Sequence, residues 1–192
     1  MNEIKRGILY VFSGPSGVGK GTVKEKLFQE FSPKVVYSVS ATTRKPRVSE
    51  VDGIDYEFIS RKEFEQRIQS NDFLEYAEYS GNYYGTPKKN VEQLLDDGHD
   101  VLLEIEVQGA LQIMNKMKGC ITIFILPPSF EILEQRLRGR GTEEEAVIQQ
   151  RLLKAKEEIQ YADLYQYRII NYDIEESYKE LRTIYLRHSS QQ

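Results

Sequence analysis

The chain is poor in the residues that build disulfides and metal sites: one cysteine, two histidines and no tryptophan in 192 residues. A single thiol, Cys120, excludes an internal disulfide and suits a reducing compartment. Its place at the head of an apolar run reads as core packing rather than reactivity. His99 and His188 lie far apart, outside any cluster with metal-ligand spacing, so a zinc site is not expected. No apolar stretch approaches the roughly 20 residues of a membrane span. The amino-terminal MNEIKRGILYVF runs into a glycine-rich loop, not a cleavage site. A large excess of either charge is missing as well. A formal net charge of -4 gives no global attraction to a nucleic acid polymer or an anionic membrane, so any basic site is local. These absences leave a soluble, cytoplasmic protein of one α/β domain, too short for a second independent core.

What is present is concentrated first in ILYVFSGPSGVGKGT, residues 8 to 22. Five apolar residues, Ile8 to Phe12, read as a core strand; Val23, Leu27 and Phe31 follow at spacings of four and read as the buried face of a helix. Between them Gly14, Pro15, Ser16, Gly17, Val18 and Gly19 form a phosphate-binding loop, whose glycines free the backbone to turn N–H groups toward nucleotide phosphate oxygens. The helix that starts near Lys20 points its positive end at the same oxygens, and the Lys20 ammonium reaches the β- and γ-phosphates. One letter departs from the general motif. Gly21 stands where Ser or Thr usually follows the lysine, and Thr22 comes only after it. Mg²⁺ is therefore expected to be held mainly through water and ATP phosphates, with Thr22 nearby.

Strand and helix signals alternate as in a parallel α/β sheet. Strands are expected at Ile8–Phe12, Val35–Ser38, Val101–Val107, Ile121–Leu126 and Arg168–Ile170. Thr86 and Pro87 read as cap and first residue of a helix closed by Gly98. Ser60 with Glu63, Thr142 with Glu145 and Asp173 with Glu176 have capping-box spacing. Between about 38 and 86 the rhythm breaks into a polar, tyrosine-rich insertion. A second excursion, a charged helix from Glu131 to Arg140 flanked by glycines, has the composition of a lid.

A phosphate loop alone specifies a nucleoside triphosphate, so the second substrate is read from these excursions. Arg44 and Arg47 are three apart in SVSATTRKPR, a spacing that lets two guanidinium forks converge on one phosphate. Tyr56 and Tyr84 add phenolic donors. Glu104 and Glu106 are two apart on an expected strand and so share one face near its carboxyl end, where ligands gather in open α/β sheets. No nucleophile–base triad is evident.

Taken together, GPSGVGKGT, SVSATTRKPR followed by GIDYEF, FLEYAEYSGNYYGTP, LLEIEVQG and RLRGRGTEEE resemble the guanylate kinase family, in its order and over nearly the whole chain. The resemblance implies a P-loop kinase with a central parallel sheet flanked by helices, an inserted mixed α/β GMP-binding subdomain (38–87), a helical lid (129–155) and a core formed by 1–37, 88–128 and 156–192. The implied reaction is ATP-dependent, Mg²⁺-assisted phosphorylation of GMP, and of dGMP, to GDP in purine nucleotide metabolism. By the same resemblance Glu75 accepts from the guanine N1–H and N2 amine, Ser40 and Thr86 meet the ring acceptors, and Arg44, Arg47, Tyr56 and Tyr84 hold the GMP phosphate. Arg136 and Arg140 of the lid, with Arg151 on the next helix, grip the triphosphate and the transferring group, and Asn171 lines the adenine pocket. Both Glu104 and Glu106 stand where the family often carries aspartate; Glu106 is assigned to the base and Glu104 to the metal shell. Two alternatives accompany this reading: a catalytically silent guanylate-kinase-like binding module, and a kinase for another monophosphate such as AMP.

Overall fold

The structure, a computed structural model, describes residues 5–79, 81–139 and 144–190. In chain order the elements are β1 (Leu9–Ser13), α1 (Lys20–Phe31), β2 (Val35–Val36), β3 (Ala41–Thr42), β4 (Glu57–Phe58), α2 (Arg61–Gln69), β5 (Phe73–Tyr79) and β6 (Asn82–Pro87), then α3 (Lys88–Asp96), β7 (Asp100–Glu104), α4 (Val107–Lys116), β8 (Ile121–Leu126), α5 (Phe130–Arg138), α6 (Glu145–Ile159), β9 (Tyr167–Ile170) and α7 (Ile174–Ser189).

Five strands form a parallel sheet in the order β2-β7-β1-β8-β9. All five residues of the central strand β1 are buried, as expected of a strand covered on both faces. Its side chains alternate between two cores. Tyr10 and Phe12 enter one with Leu27 of α1 and Leu181 of α7; Leu9 and Val11 enter the other with Val91 of α3 and Ala110 and Ile113 of α4. Cys120 is buried in the second core, as its position in the sequence implied.

The insertion carries its own mixed sheet, β4-β3-β6-β5, over a small core in which Phe64 of α2 stacks between Phe73 (ring centroids 4.3 Å apart) and Tyr83 (5.1 Å). The β5–β6 ladder has an irregularity. Phe73 pairs with Pro87, yet Glu75 pairs with Thr86, so Leu74 is an extra residue on β5. This bulge sends Phe73 into the small core and Leu74 into the large one, and it sets Glu75 directly opposite Thr86.

Several boundaries differ from the sequence expectation: β1 runs one residue later than Ile8–Phe12, β9 starts one residue earlier than Arg168, and the helix expected over Glu131–Arg140 is Phe130–Arg138. The strand expected over Val101–Val107 ends at Glu104; Glu106 is the N-cap of α4 and Val107 its first residue. The apolar spacing of three through Val107, Ala110 and Ile113 outweighs the short alternation before it. Thr86 and Pro87 belong to β6, and α3 starts at Lys88. Thr86 cannot cap the helix because its hydroxyl is bonded to Glu75, while the Lys88 N–H goes to the Asp72 carbonyl at 2.7 Å. β2 ends at Val36 rather than at Ser38. The expected caps Ser60 and Asp173 accept from backbone N–H groups of α2 and α7, whereas Thr142 lies outside the described residues.

Candidate active site

The loop between β1 and α1 wraps tightly because Gly17 (φ 85°) and Gly19 (φ 100°) adopt left-handed backbone that a side chain would resist. Gly19 is the residue before the helix, so Lys20, Gly21 and Thr22 occupy its first turn, with Gly21 and Thr22 exposed. Gly14 and Pro15 leave the sheet, and their carbonyls accept from Lys20 Nζ at 2.5 and 3.0 Å. Burial pushes the Lys20 ammonium below its ordinary value, opposed by the carboxylates of Glu104, Glu158 and Glu106. Lys20 therefore faces the ends of β7, α4 and α6.

The buried Val18 anchors the loop from beneath. Its carbonyl accepts from Asn171 Nδ2 at 2.6 Å and from Arg136 Nη1 at 3.4 Å. Arg136 Nη2 also donates to the Asn171 carbonyl at 2.9 Å, and Ser177 donates to Asn171 Oδ1 at 2.9 Å. A chain from α7 through the end of β9 to the loop thus meets a lid arginine at one point. Arg151 of α6 reaches the Ser16 hydroxyl at 3.3 Å. Arg140 lies outside the described residues.

The acceptor side is a cleft of about 700 Å³ lined by Ser40, Tyr56, Glu75, Tyr84, Glu104 and Glu106 among others, a size that suits a small ligand. Glu75 is 8% exposed, and its Oε1 accepts from Thr86 Oγ1 at 2.6 Å. Burial raises the Glu75 carboxyl above its ordinary range, against the lowering pull of Thr86 and Lys116. Thr86 spends its single proton on Glu75, so the ring-acceptor contact implied for it competes with this bond.

Around the cleft, Tyr56 and Tyr84 approach edge to face with ring centroids 6.2 Å apart, and the Arg44 guanidinium stands 5.5 Å from the Tyr56 ring. Arg44 is clasped bidentately by Glu50 at 2.8 and 2.9 Å, and the Arg47 N–H donates to the same carboxylate at 2.7 Å. The Arg47 residue is exposed beside them. Arg44 holds the Glu50 carboxyl down at about 2. Glu50 escaped the sequence reading; its only signal is a position six residues after Arg44 in the same loop.

Glu104 and Glu106 do not share a strand face. Glu104 turns to Lys24 of α1 at 2.5 Å, and Glu106 turns the other way to Lys154 of α6 at 2.8 Å. Lys154 was also missed, although Arg151, Lys154 and Glu158 fall three and four apart on one face of α6. Among the described residues no three His, Cys, Asp or Glu side chains converge as a metal cluster. Oxygen donors at or beside the loop include Ser16, Thr22 and Glu104, the last tied to α1 through Lys24. That sparse, hard donor set fits Mg²⁺, which keeps several waters and takes phosphate oxygens.

Comparison with known proteins gives this geometry its family. The guanylate kinase family model matches residues 6–188. The guanylate kinase of Streptococcus thermophilus (strain CNRZ 1066) is 55% identical over 170 residues, covering 88% of this chain and 81% of its own. That of Bacillus subtilis (strain 168) is 52% identical over 182 residues, 95% of this chain and 89% of its own. The crystal structure of guanylate kinase from Anaplasma phagocytophilum aligns with a TM-score of 0.72 at 39% identity, over 96% of this chain and 87% of that one. The SH3-kinase fragment of tight junction protein 3 aligns at 0.50 with 13% identity, over 94% of this chain and 56% of that one, a likeness of fold alone. With a phosphate loop, an inserted sheet bearing a buried glutamate, and relatives of this identity over nearly its whole length, the chain belongs to the guanylate kinase family.

Proposed function

We infer that the protein transfers the γ-phosphoryl group of ATP to GMP, giving ADP and GDP, and that it accepts dGMP as well. The observation that carries the choice of acceptor is Glu75, a buried carboxylate lining the cleft. Guanine offers two adjacent donors, N1–H and the N2 amine, where adenine offers an acceptor at N1. A carboxylate matches the first edge and repels the second. Thr86 holds Glu75 in place, Ser40 is left for the ring acceptors, and Glu106 completes the base pocket once it parts from Lys154.

Arg44, Arg47, Tyr56 and Tyr84 receive the GMP phosphate, with Arg44 shared between that phosphate and Glu50. On the donor side the loop residues 14–22 cradle the ATP phosphates, Arg136 grips the triphosphate, and Asn171 borders the adenine. The accepting oxygen is already anionic, so no general base is needed. Catalysis is positioning plus charge neutralisation by Lys20, Arg44, Arg136, Arg140 and Arg151 as the phosphoryl group passes in line. Mg²⁺, when bound near Thr22 and Glu104 largely through water, supplies further positive charge to the phosphates. Residues 38–87 act as the GMP-binding unit and 129–155 as a lid whose closure excludes water, over a core of 1–37, 88–128 and 156–192. No helix of the described residues is long and apolar enough to cross a membrane, and we place the reaction in the cytoplasm. The binding-module alternative keeps only the fold likeness to the tight junction fragment, and an intact loop with Lys20 speaks against it.

The test is ADP production with ATP and Mg²⁺ against GMP, dGMP, AMP, CMP and UMP. Turnover confined to GMP and dGMP is expected; none with any acceptor, in folded protein that binds GMP, favours the binding module.

A further inference from the structure

Gly109 is buried on the first turns of α4, facing β5. Its backbone is helical and turns no corner, so conformational freedom does not explain it. Glycine is a poorer helix former than alanine, so something other than the helix requires its small size. A Cβ placed there would lie 2.6 Å from Glu75 Oε2, 3.1 Å from its Cδ and 3.3 Å from its Cγ, and these are the three nearest atoms. The atoms that crowd that position most closely all belong to the Glu75 side chain.

The helix side of this contact cannot simply back away. Three residues along α4, Gln112 Oε1 accepts from the Tyr76 N–H at 3.2 Å and its Nε2 donates to the Tyr76 carbonyl at 3.0 Å. One turn further, Lys116 donates to the Phe73 carbonyl at 3.1 Å. Gly109, Gln112 and Lys116 fall on one helix face, and the last two clamp the β5 backbone on either side of Glu75. From the opposite direction Thr86 holds Oε1 at 2.6 Å. The carboxylate stands between Thr86 and the bare backbone of α4, on the wall of the cleft that Glu75 and Gly109 both line.

We propose that Gly109 is a specificity-determining positioning residue: its missing side chain fixes where the Glu75 carboxylate stands and so aligns it with the N1–H and N2 amine of guanine. The inference rests on the reading of Glu75 as the group that accepts from the base. A methyl at 109 must open the contact from 2.6 Å toward the ordinary 3.4 Å. The carboxylate, as the far end of a flexible side chain, yields rather than the clamped helix, and it yields into the space where guanine would sit. A misplacement near 1 Å at a reacting or recognition group can cost about 10²-fold. The fold is retained, because the better helix propensity of alanine offsets the strain at the displaced carboxylate.

The experiment compares wild type, Gly109→Ala, Glu75→Ala and the double variant, reading kcat/KM for GMP and AMP, KM for ATP and the melting temperature. Gly109→Ala is expected to melt at or above wild type with KM for ATP unchanged, while kcat/KM for GMP falls by roughly 10- to 100-fold and the preference over AMP falls with it. In the Glu75→Ala background the same substitution should change GMP kinetics by less than about twofold, since the contact through which it acts is gone. Wild-type selectivity in Gly109→Ala, an equal loss in both backgrounds, or a lowered melting temperature with selectivity intact would each overturn the proposal. A loss of GMP preference in Glu75→Ala without one in Gly109→Ala removes the role of Gly109 alone. Full GMP preference in Glu75→Ala removes the reading of Glu75 and this inference together.

Discussion

The phosphate loop and the first turn of α1 are nine consecutive residues, 14–22, whose backbone is shaped by glycines and held from beneath at the Val18 carbonyl. The acceptor side is assembled from side chains of β5, β6, α4 and the 44–50 loop, which meet only in the folded chain. The first region handles phosphate, which every nucleotide carries, and local backbone suffices. The second must tell one base from another, which takes a particular edge of a particular carboxylate. Substitutions should therefore split cleanly: changes in the loop region impair turnover with any acceptor, and changes around Glu75 impair choice.

The largest effect is expected from Lys20→Ala, which should lower kcat by about 10³-fold or more with every acceptor while the melting curve stays near wild type. Substantial residual turnover in the folded variant would break the assignment of the loop. Arg44→Ala comes next. A charge-assisted hydrogen bond is worth about 1.5–3 kcal/mol, so KM for GMP should rise about 10- to 100-fold with KM for ATP little changed. Equal rises in both would blur the division between the two regions.

The pH dependence sharpens it. Burial raises the folded-state carboxyl of Glu75 above its ordinary 4.5, and GMP requires the ionised form. As pH falls through that raised value the group protonates, so the acidic limb of kcat/KM for GMP should sit above pH 4.5 and shift in Glu75→Gln. The stability sign is opposite. A raised carboxyl favours folding below its unfolded value and loses that contribution as pH rises through the folded one. Glu75→Gln should therefore stabilise the protein more at pH 8 than at pH 4.

Asn171→Ala removes the bond beneath the loop and leaves buried groups unpaired, at a cost of about 1–3 kcal/mol. The melting temperature should drop by roughly 2–4 °C per kcal/mol, with KM for ATP rising more than KM for GMP. Smallest is Glu50→Gln. Because Arg44 holds the Glu50 carboxyl at about 2, the pair contributes above the ordinary carboxylate range and is lost only as pH falls through that value. The neutral amide should raise KM for GMP by about a few-fold, and wild-type protein should keep the 44–50 loop intact at pH 3, readable by amide exchange.

The loop and the central sheet were legible because their determinants are local. Apolar runs such as Ile121–Leu126 coincide with β8, and Lys20 follows Gly19 into α1 as the motif implies. Boundaries failed where a long-range bond outcompeted a local signal: Thr86 has the look of a helix cap, yet its hydroxyl is taken by Glu75, 11 residues away. The extra residue Leu74 on β5 is invisible in sequence, since it exists only relative to β6. Gly109 is equally silent, because the space it leaves matters only once α4 lies against β5. Glu104 and Glu106 suggested one face by their spacing and point apart because β7 ends at Glu104 and Glu106 is already the N-cap of α4.

The most direct test is kcat/KM for GMP and for AMP, with KM for ATP, in wild type and Glu75→Gln side by side. A collapse of GMP preference by about 10²-fold or more, with KM for ATP unchanged, is the expected result; GMP preference and GMP kinetics retained in the folded variant would contradict the division of labour between loop and pocket.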